Sequence, residues 1–408
     1  MRRRYTRGGS RGQNPFLPKA WHGGAEHRMR VLSVFGTRPE TIKMAPVVKE
    51  LQKHPGQIEA KVCVTGQHRH MLDQVLDLFG LHCDSDLAIM RPNQTLSQVT
   101  ARVLVELDKI VQRVQPDWLL VQGDTTTAMA ACLVAYYHRV KVGHVEAGLR
   151  TGNKHHPFPE EINRKIADAL ADIYFAPTEW ARRNLKKEGV PAAAIYVTGN
   201  TVIDALHSIA DRPPDPETQA LLKRIGFRTE TGSEPAAPDF RLILVTAHRR
   251  ENFGRGLENI CAALSQLAQA QGEAVRIVYP VHLNPNVQRP VRRLLKGIPN
   301  ILLLPPLSYA PLVHLLKRAY LVLTDSGGLQ EEAPTFGVPV LVMRETTERP
   351  EAIAAGTARL VGTDPARILQ EAHRLLEKPA AYRRMSRCSN PFGDGKASAR
   401  IVQALLHA

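Results

Sequence analysis

The 408-residue sequence predicts an α/β protein made of two Rossmann-like domains facing a central cleft. Three observations predict it. Short apolar runs ending in Gly, Thr or His alternate with stretches of helical spacing, the pattern of parallel strands joined by crossover helices. That rhythm breaks in a Pro-rich polar region and then restarts. The length suits two domains of ~150–200 residues each.

The elements follow in order. RVLSVFG at 30–36 reads as a buried strand stopping at glycine, and TRPETIKMAPVVKEL after it has helical spacing. EAKVCVTG at 59–66 repeats the theme, and QHRHMLDQVLDLFG is helical to Gly80. PDWLLVQGD (116–124), VKVGHVEAG (140–148), DIYFAPT (172–178) and AIYVTGN (194–200) are four more strands. DRPPDPETQ (211–219) and TETGSEPAAPD (229–239) interrupt the series. Strands resume with RLILVTAH (241–248), AVRIVYPVH (274–282), NILLLPP (300–306), AYLVLTDSGG (319–328) and VPVLVMRET (338–346). DGKASARIVQALLHA ends the sequence as one amphipathic helix. The expected division is a basic disordered extension at 1–28, a first domain at 29–205 and a linker at 206–240. A second, nucleotide-binding domain follows at 241–385, then a C-terminal helical segment at 386–408 packing back on the first domain.

Composition narrows the function. No apolar run approaches the ~18 residues of a membrane span. The five cysteines (Cys63, Cys83, Cys132, Cys261, Cys388) are odd in number and form no C-x-x-C pair, which suits a reducing cytoplasm. Net charge is +15, and residues 1–28 contribute seven Arg and Lys against one Glu. Without aromatic-basic interleaving or a nucleic-acid motif, an anionic small substrate plus a basic tail is the simpler account. The extension has no apolar h-region and does not read as a secretory signal. No G-x-G-x-x-G follows a strand, no Walker sequence is present, and no histidine spacing suggests zinc.

In parallel sheets ligands bind beyond the carboxyl ends of the strands. Those ends are crowded with ionisable groups. Arg38 after Gly36 reads either as a surface residue at a helix start or as a cation facing phosphate. Asp124 either caps a helix beginning at Thr125–Thr127 or acts chemically. Glu146 precedes Ala147-Gly148 with no helix to cap, which favours an active carboxylate. Glu160 and Glu161 after Pro159 make an ordinary acidic first turn, and a functional reading stays open beside it. His248 and His282 stand at equivalent strand ends. In LTDSGGLQEEA (323–333), Ser326-Gly327-Gly328 exposes backbone N–H groups before a helix expected to open with two glutamates. A diphosphate on the glycines and a ribose diol on a glutamate would satisfy both, so a nucleotide or nucleotide sugar fits.

VFGTRPETIKMAP, TGQHRHML, GDTTTAMAA, GHVEAGLRTGN, PFPEEINR, TGNTVIDAL, HRRENFG, YPVHLNPNV, LTDSGGLQEEAP, TTERPEA and NPFGDGKASARI, in this order, resemble the non-hydrolysing UDP-N-acetylglucosamine 2-epimerases. The resemblance runs from about Met29 to the C-terminus. It implies a glycosyltransferase-B-like fold and a cytoplasmic homodimer that acts on a UDP-sugar with neither NAD nor metal. It implies that Asp124, Glu146 and Glu160 are catalytic carboxylates and that His248 serves the diphosphate region. Arg38, Lys43, Ser326, Gly327, Gly328, Glu332 and Arg349 match UDP-contacting positions, with Glu332 rather than Glu331 on the ribose. Leu307 and Leu312 fall in the loop framing uracil, where relatives often carry Gln and Phe. Gln67, Arg249 and His282 match an activating second site, although His70 and Asn93 depart from its pattern. A 2-epimerase of a UDP-diacetamido-uronic acid, or a glycosyltransferase of the same fold, is the alternative. No unmatched arginine favours the former, and a transferase would not need three carboxylates around one ring.

Overall fold

The computed structural model describes residues 28–66, 69–227 and 239–408, with the side chains of 69–71 left aside. The extension before Arg28, Gln67 and nearly all of the 229–239 stretch therefore lie outside the described residues.

The first seven strands are β1 (Met29–Phe35), β2 (Ile58–Val64), β3 (Ser85–Asp86), β4 (Trp118–Gln122), β5 (Lys141–Val145), β6 (Ile173–Ala176) and β7 (Ile195–Val197). They form one sheet in the order β3-β2-β1-β4-β5-β6-β7. Then come β8 (Arg241–Thr246), β9 (Val275–Pro280), β10 (Ile301–Leu304), β11 (Leu321–Thr324), β12 (Val340–Val342) and β13 (Ala358–Leu360). These form a second sheet, β10-β9-β8-β11-β12-β13. Every strand pair is parallel; Val31 of β1, for example, faces Ala60 on one side and Trp118 on the other. Parallel strands are covered on both faces, so central strands read as unbroken apolar runs. Accordingly WLLVQ of β4 and LVLT of β11 are buried at every position. The edge strands β3 and β13 are two and three residues long and lack such runs, which is why the sequence pattern does not reveal them.

Strand order reverses between β1 and β4 in the first sheet and between β8 and β11 in the second. These are the switch points where the loops part and leave a crevice.

The expected linker is not structureless. Helix Thr201–Ala210 crosses its start, and helix Pro216–Ile225 fills much of the rest. Asp215 caps the latter by accepting from Thr218 N, Pro216 presets its first turn, and Gly226 (φ 108°) ends it. Leu222 and Ile225 pack in one apolar cluster with Ile203, Leu206, Val313 and Leu316, the last two from helix Tyr309–Arg318. The terminal helix, Ala397–Leu406, adds Ile401, Val402 and Leu405 to that cluster. Having no cap of its own, it is capped by Asp204, whose carboxylate accepts from Ala397 N (3.2 Å) and Ser398 N (2.8 Å). It packs on helix Arg38–Gln52 and helix Thr201–Ala210. Among the described residues no helix is long and apolar enough to cross a membrane. All five cysteines are free.

Candidate functional site

After β1 the chain turns through Gly36 into helix Arg38–Gln52. Thr37 and Glu40 form a capping box, and Glu40 accepts from Gly36 N (3.0 Å), Thr37 N (2.7 Å) and Thr125 Oγ1 (2.6 Å). Burial still outweighs these bonds and raises the Glu40 carboxyl above its ordinary value. Glu40 thereby ties together the two loops at the first switch point. Arg38 reaches across to the second sheet's side, with Nη2 3.4 Å from Leu307 O. Burial lowers its guanidinium, partly offset by Tyr309 and Glu332.

The helix after β4, Thr126–His138, is capped by Thr125. The capping reading of Asp124 therefore falls to its neighbour, and the Asp124 carboxylate is left to pair with Arg164. Asn163 Nδ2 donates to Asp124 O at 3.0 Å. Asn163 and Arg164 lie on helix Glu160–Leu170, so Glu160 opens the same helix that holds Asp124. Its neighbour Glu161 is fully buried, accepting from Thr151 N and Gly152 N and facing Arg164.

Below Asp124 sits His144. Its Nδ1 is 2.6 Å from Asp168 Oδ1 and its Nε2 is 2.7 Å from Gly123 O. Both partners only accept, so the ring carries both protons. Burial opposes that charge, but Asp168 and the Gly123 carbonyl prevail and the pKa rises. Arg150 joins Asp168 from the other side at 2.6 Å.

Glu146, just beyond β5, has φ +66°, a left-handed conformation costing a non-glycine residue roughly 1–2 kcal/mol. The turn aims its carboxylate inward, 7% exposed as a residue. Lys43 Nζ sits 2.7 Å from both oxygens, Gln122 donates to Oε2, and Asn200 Nδ2 donates to Oε1 at 3.1 Å. Burial works against its charge, yet Lys43, then Arg349 and Asn200, hold it below the usual range. Lys43, expected to face the diphosphate, is thus paired with Glu146 here, and its own pKa is raised by Glu146 and Glu331 against the effect of burial.

At the second switch point Asp325 is fully buried after β11. Its Oδ2 accepts from His248 N (2.8 Å), Arg249 N (2.8 Å) and Asn252 Nδ2 (3.0 Å). Its Oδ1 has no hydrogen-bond partner and lies 3.8 Å from His248 Nδ1. Asp325 thus fixes the loop carrying His248 and faces its ring. The His248 and His282 rings stack at 5.4 Å. Burial first, then His282 and Arg249, lower His248's pKa against the pull of Asp325.

The helix after Ser326 runs Gly327–Glu332, and Pro334 then lies in a 3₁₀ turn. The two glutamates therefore end this helix rather than open it: the glycines themselves form its first turn. Glu331 is buried, paired with Arg349 Nε and accepting from Asn200 Nδ2 at 3.0 Å. Glu332 points elsewhere, with Oε1 3.5 Å from where a Gly328 side chain would start. Burial and Glu331 push its carboxyl up to about 8, against Lys43 and Arg38. A side chain at Gly327 would lie 3.8 Å from both Arg249 and Arg349, so those cations flank the glycine turn.

The structure thus gathers Arg38, Lys43, Glu146, Glu332, Arg349 and the glycine turn where the two sheets meet. A crevice lined by Arg164 from Asp124's side and by Arg349 joins them. Leu307 and Leu312 are half-buried against the apolar cluster, and Leu307 offers its carbonyl to Arg38. His282 is exposed, with Nδ1 accepting from Asn284 N. Asn93 lies in an exposed turn at φ +56°. The sequence sets Glu40 and His144 at strand ends without giving them a part, and ranks Glu331 behind Glu332. It does not single out Arg164, Asn200 or Asp325, although Asp325 directly follows β11 and Asn200 follows the Thr198-Gly199 turn after β7.

Residues 49–406 match the family model described as UDP-N-acetylglucosamine 2-epimerase. The sequence is 55% identical over 379 residues to the UDP-N-acetylglucosamine 2-epimerase of Salmonella typhimurium, covering 92% of this chain and 98% of that one. The crystal structure of the Neisseria meningitidis UDP-GlcNAc 2-epimerase bound to UDP-GlcNAc is similar at TM-score 0.83 and 47% identity, covering 93% of this chain and all of the other. The Methanocaldococcus jannaschii UDP-GlcNAc 2-epimerase in complex with UDP-GlcNAc and UDP is similar at TM-score 0.74 and 32% identity, covering 93% of this chain and all of the other. A glycotransferase of kitacinnamycin shares the fold alone, at 13% identity and TM-score 0.62, covering 93% of this chain and 99% of the other.

Proposed function

The chain belongs to the UDP-N-acetylglucosamine 2-epimerase family, and on that premise we propose that it interconverts UDP-N-acetylglucosamine and UDP-N-acetylmannosamine. The observation that supports this reading is the cluster of opposite charges between the two switch points: Glu146, beyond β5 of the first sheet, is paired with Lys43 and held by Arg349, and Arg349 flanks the Gly327 turn of the second sheet.

The C2 proton of the sugar has no neighbouring carbonyl to make it acidic. Inversion proceeds by elimination: a base takes the C2 proton, the C1–O bond breaks, and UDP departs with the bonding pair. This leaves 2-acetamidoglucal with a C1–C2 double bond. UDP then adds back at C1 as a proton arrives at C2 on the opposite face, so no electrons are gained or lost. C1 becomes cation-like as UDP leaves, which carboxylates beside the ring stabilise. Asp124, Glu146 and Glu160 supply these charges and the acid–base pair. Arg38, Arg349 and the backbone of Ser326, Gly327 and Gly328 hold the departing diphosphate, and Lys43 can exchange Glu146 for it. His248, kept largely neutral by burial, is able to donate to a phosphate oxygen. Glu332 takes the ribose diol, and the backbone at Leu307 and Leu312 frames uracil. By the resemblance of sequence alone, Gln67, Arg249 and His282 match the positions of a second, activating nucleotide sugar.

The chain works in the cytoplasm as a homodimer and supplies a surface-polysaccharide precursor. Support for the dimer is an apolar surface on two packed helices, Leu96–Val114 and Thr126–His138. There Val105, Tyr136 and Tyr137 are 57%, 62% and 69% exposed.

The test is proton NMR of the purified protein with UDP-GlcNAc alone in D2O. UDP-ManNAc carrying deuterium at C2 is expected. Accumulating UDP and free sugar would mean hydrolysis instead, and an unchanged spectrum would exclude this substrate.

A further inference from the structure

Asn200 follows β7 and lies where three parts of the chain converge. It is 2% exposed, and every polar group it owns is engaged. Its backbone N donates to Phe392 O at 2.6 Å. Its side-chain oxygen accepts from Val202 N at 3.0 Å, capping helix Thr201–Ala210. The two amide hydrogens go to two carboxylates: Glu146 Oε1 at 3.1 Å, beyond β5 of the first sheet, and Glu331 Oε2 at 3.0 Å, after β11 of the second. The amide cannot flip, because its oxygen would then face two carboxylates and its NH2 would face the Val202 N–H.

The groups around Glu146 show what this arrangement does. It faces Lys43 from helix Arg38–Gln52, Gln122 from β4, Arg349 from beyond β12, and Asn200. Glu331, on the far side of Asn200, is paired with Arg349. Two buried carboxylates sharing one amide would repel each other were a cation withdrawn. Lys43 and Arg349 are the groups that an arriving diphosphate attracts, whereas Asn200 is neutral and held at four points. With Gln122, it is a donor that stays on Glu146 through the reaction, and of the two it is the one that also reaches the second sheet's side.

We propose that Asn200 is a positioning residue, fixing the Glu146 carboxylate for its part in catalysis by tying it to Glu331 of the second sheet. This rests on the epimerase reading above. It assigns Asn200 no contact with the reacting atoms.

The test uses Asn200→Ser and Asn200→Asp in the full chain. Each keeps an oxygen able to cap the helix, and neither keeps the amide. Epimerisation of UDP-GlcNAc is followed from pH 5.5 to 9. Expected is a kcat about a hundredfold lower, the scale of effect a misplaced catalytic group produces. KM stays within threefold, and the acid limb of kcat/KM moves to higher pH, since a carboxylate that loses a donor holds its proton more tightly. The same movement is read without turnover from δ-13C-glutamate NMR, using the signal that disappears in Glu146→Gln. Its titration midpoint rises in both variants. A folded variant with parental kcat, limb and midpoint overturns the proposal and leaves Asn200 only a helix cap. Failure of the unmodified protein to turn over UDP-GlcNAc instead strikes the epimerase reading, and the glutamate titration still decides the role of Asn200.

Discussion

Glu332 is a carboxyl whose charge the fold opposes. Unfolded, it titrates near 4.5; folded, burial and Glu331 push it up to about 8. Between those values the folded state binds the extra proton, so stability falls as pH rises through that window and levels off above it. Glu332→Gln removes this dependence, and thermal melts from pH 5 to 8.5 should show a flatter profile than the parent. Asp124→Asn keeps the shape while removing charge from the Arg164 pair. Its expected effect is a kcat loss of ~10²–10⁴-fold, read by the NMR assay, with far-ultraviolet circular dichroism unchanged. At this scale what the sequence makes legible is position: Glu146 stands just beyond β5 and His248 just beyond β8. Lys43 was placed correctly on its helix, but its partner depends on a glutamate 103 positions away. Burial likewise decides which of two adjacent glutamates turns inward: Glu331 is sealed against Arg349, and Glu332 is not.

Between elements, some joins are made by a single polar side chain reaching into another element's end. Asp204 is the clearest, supplying the cap that helix Ala397–Leu406 lacks. Asp204→Ala should cost about 1–2 kcal/mol in urea denaturation and raise amide exchange in that helix first. Long apolar strands and capped helices were readable because their signals are local. Helix Pro216–Ile225 is hidden in the sequence because proline and aspartate commonly form loops. In Asp215-Pro216 they are the cap and first turn of a helix whose apolar face finds its partner on the second sheet's side. β3 and β13 are legible only from their neighbours, since two or three residues cannot set a period.

For the molecule as a whole, pairing through Tyr136 and Tyr137 predicts that light scattering finds a dimer. Tyr137→Lys with Tyr136→Lys should yield monomers with the fold intact. Two sheets with matching switch points were visible as a rhythm that stops and restarts. Their mutual placement was not, since it rests on contacts such as Arg38 with Leu307 and Thr178 with Glu351 (2.8 Å). The Asn200–Phe392 bond has a bearing on how the protein is made. A side chain at Gly199 would come within 3.2 Å of the Gly393 Cα, so the two strands of backbone cross almost in contact. At ~5–20 residues per second, roughly 10–40 s of translation separate these segments. Throughout that interval the ribosome carries the acids of the first sheet without the chain that anchors Asn200. A message broken before codon 392 therefore yields a polypeptide that bears Asp124, Glu146 and Glu160 but lacks the backbone that holds Asn200.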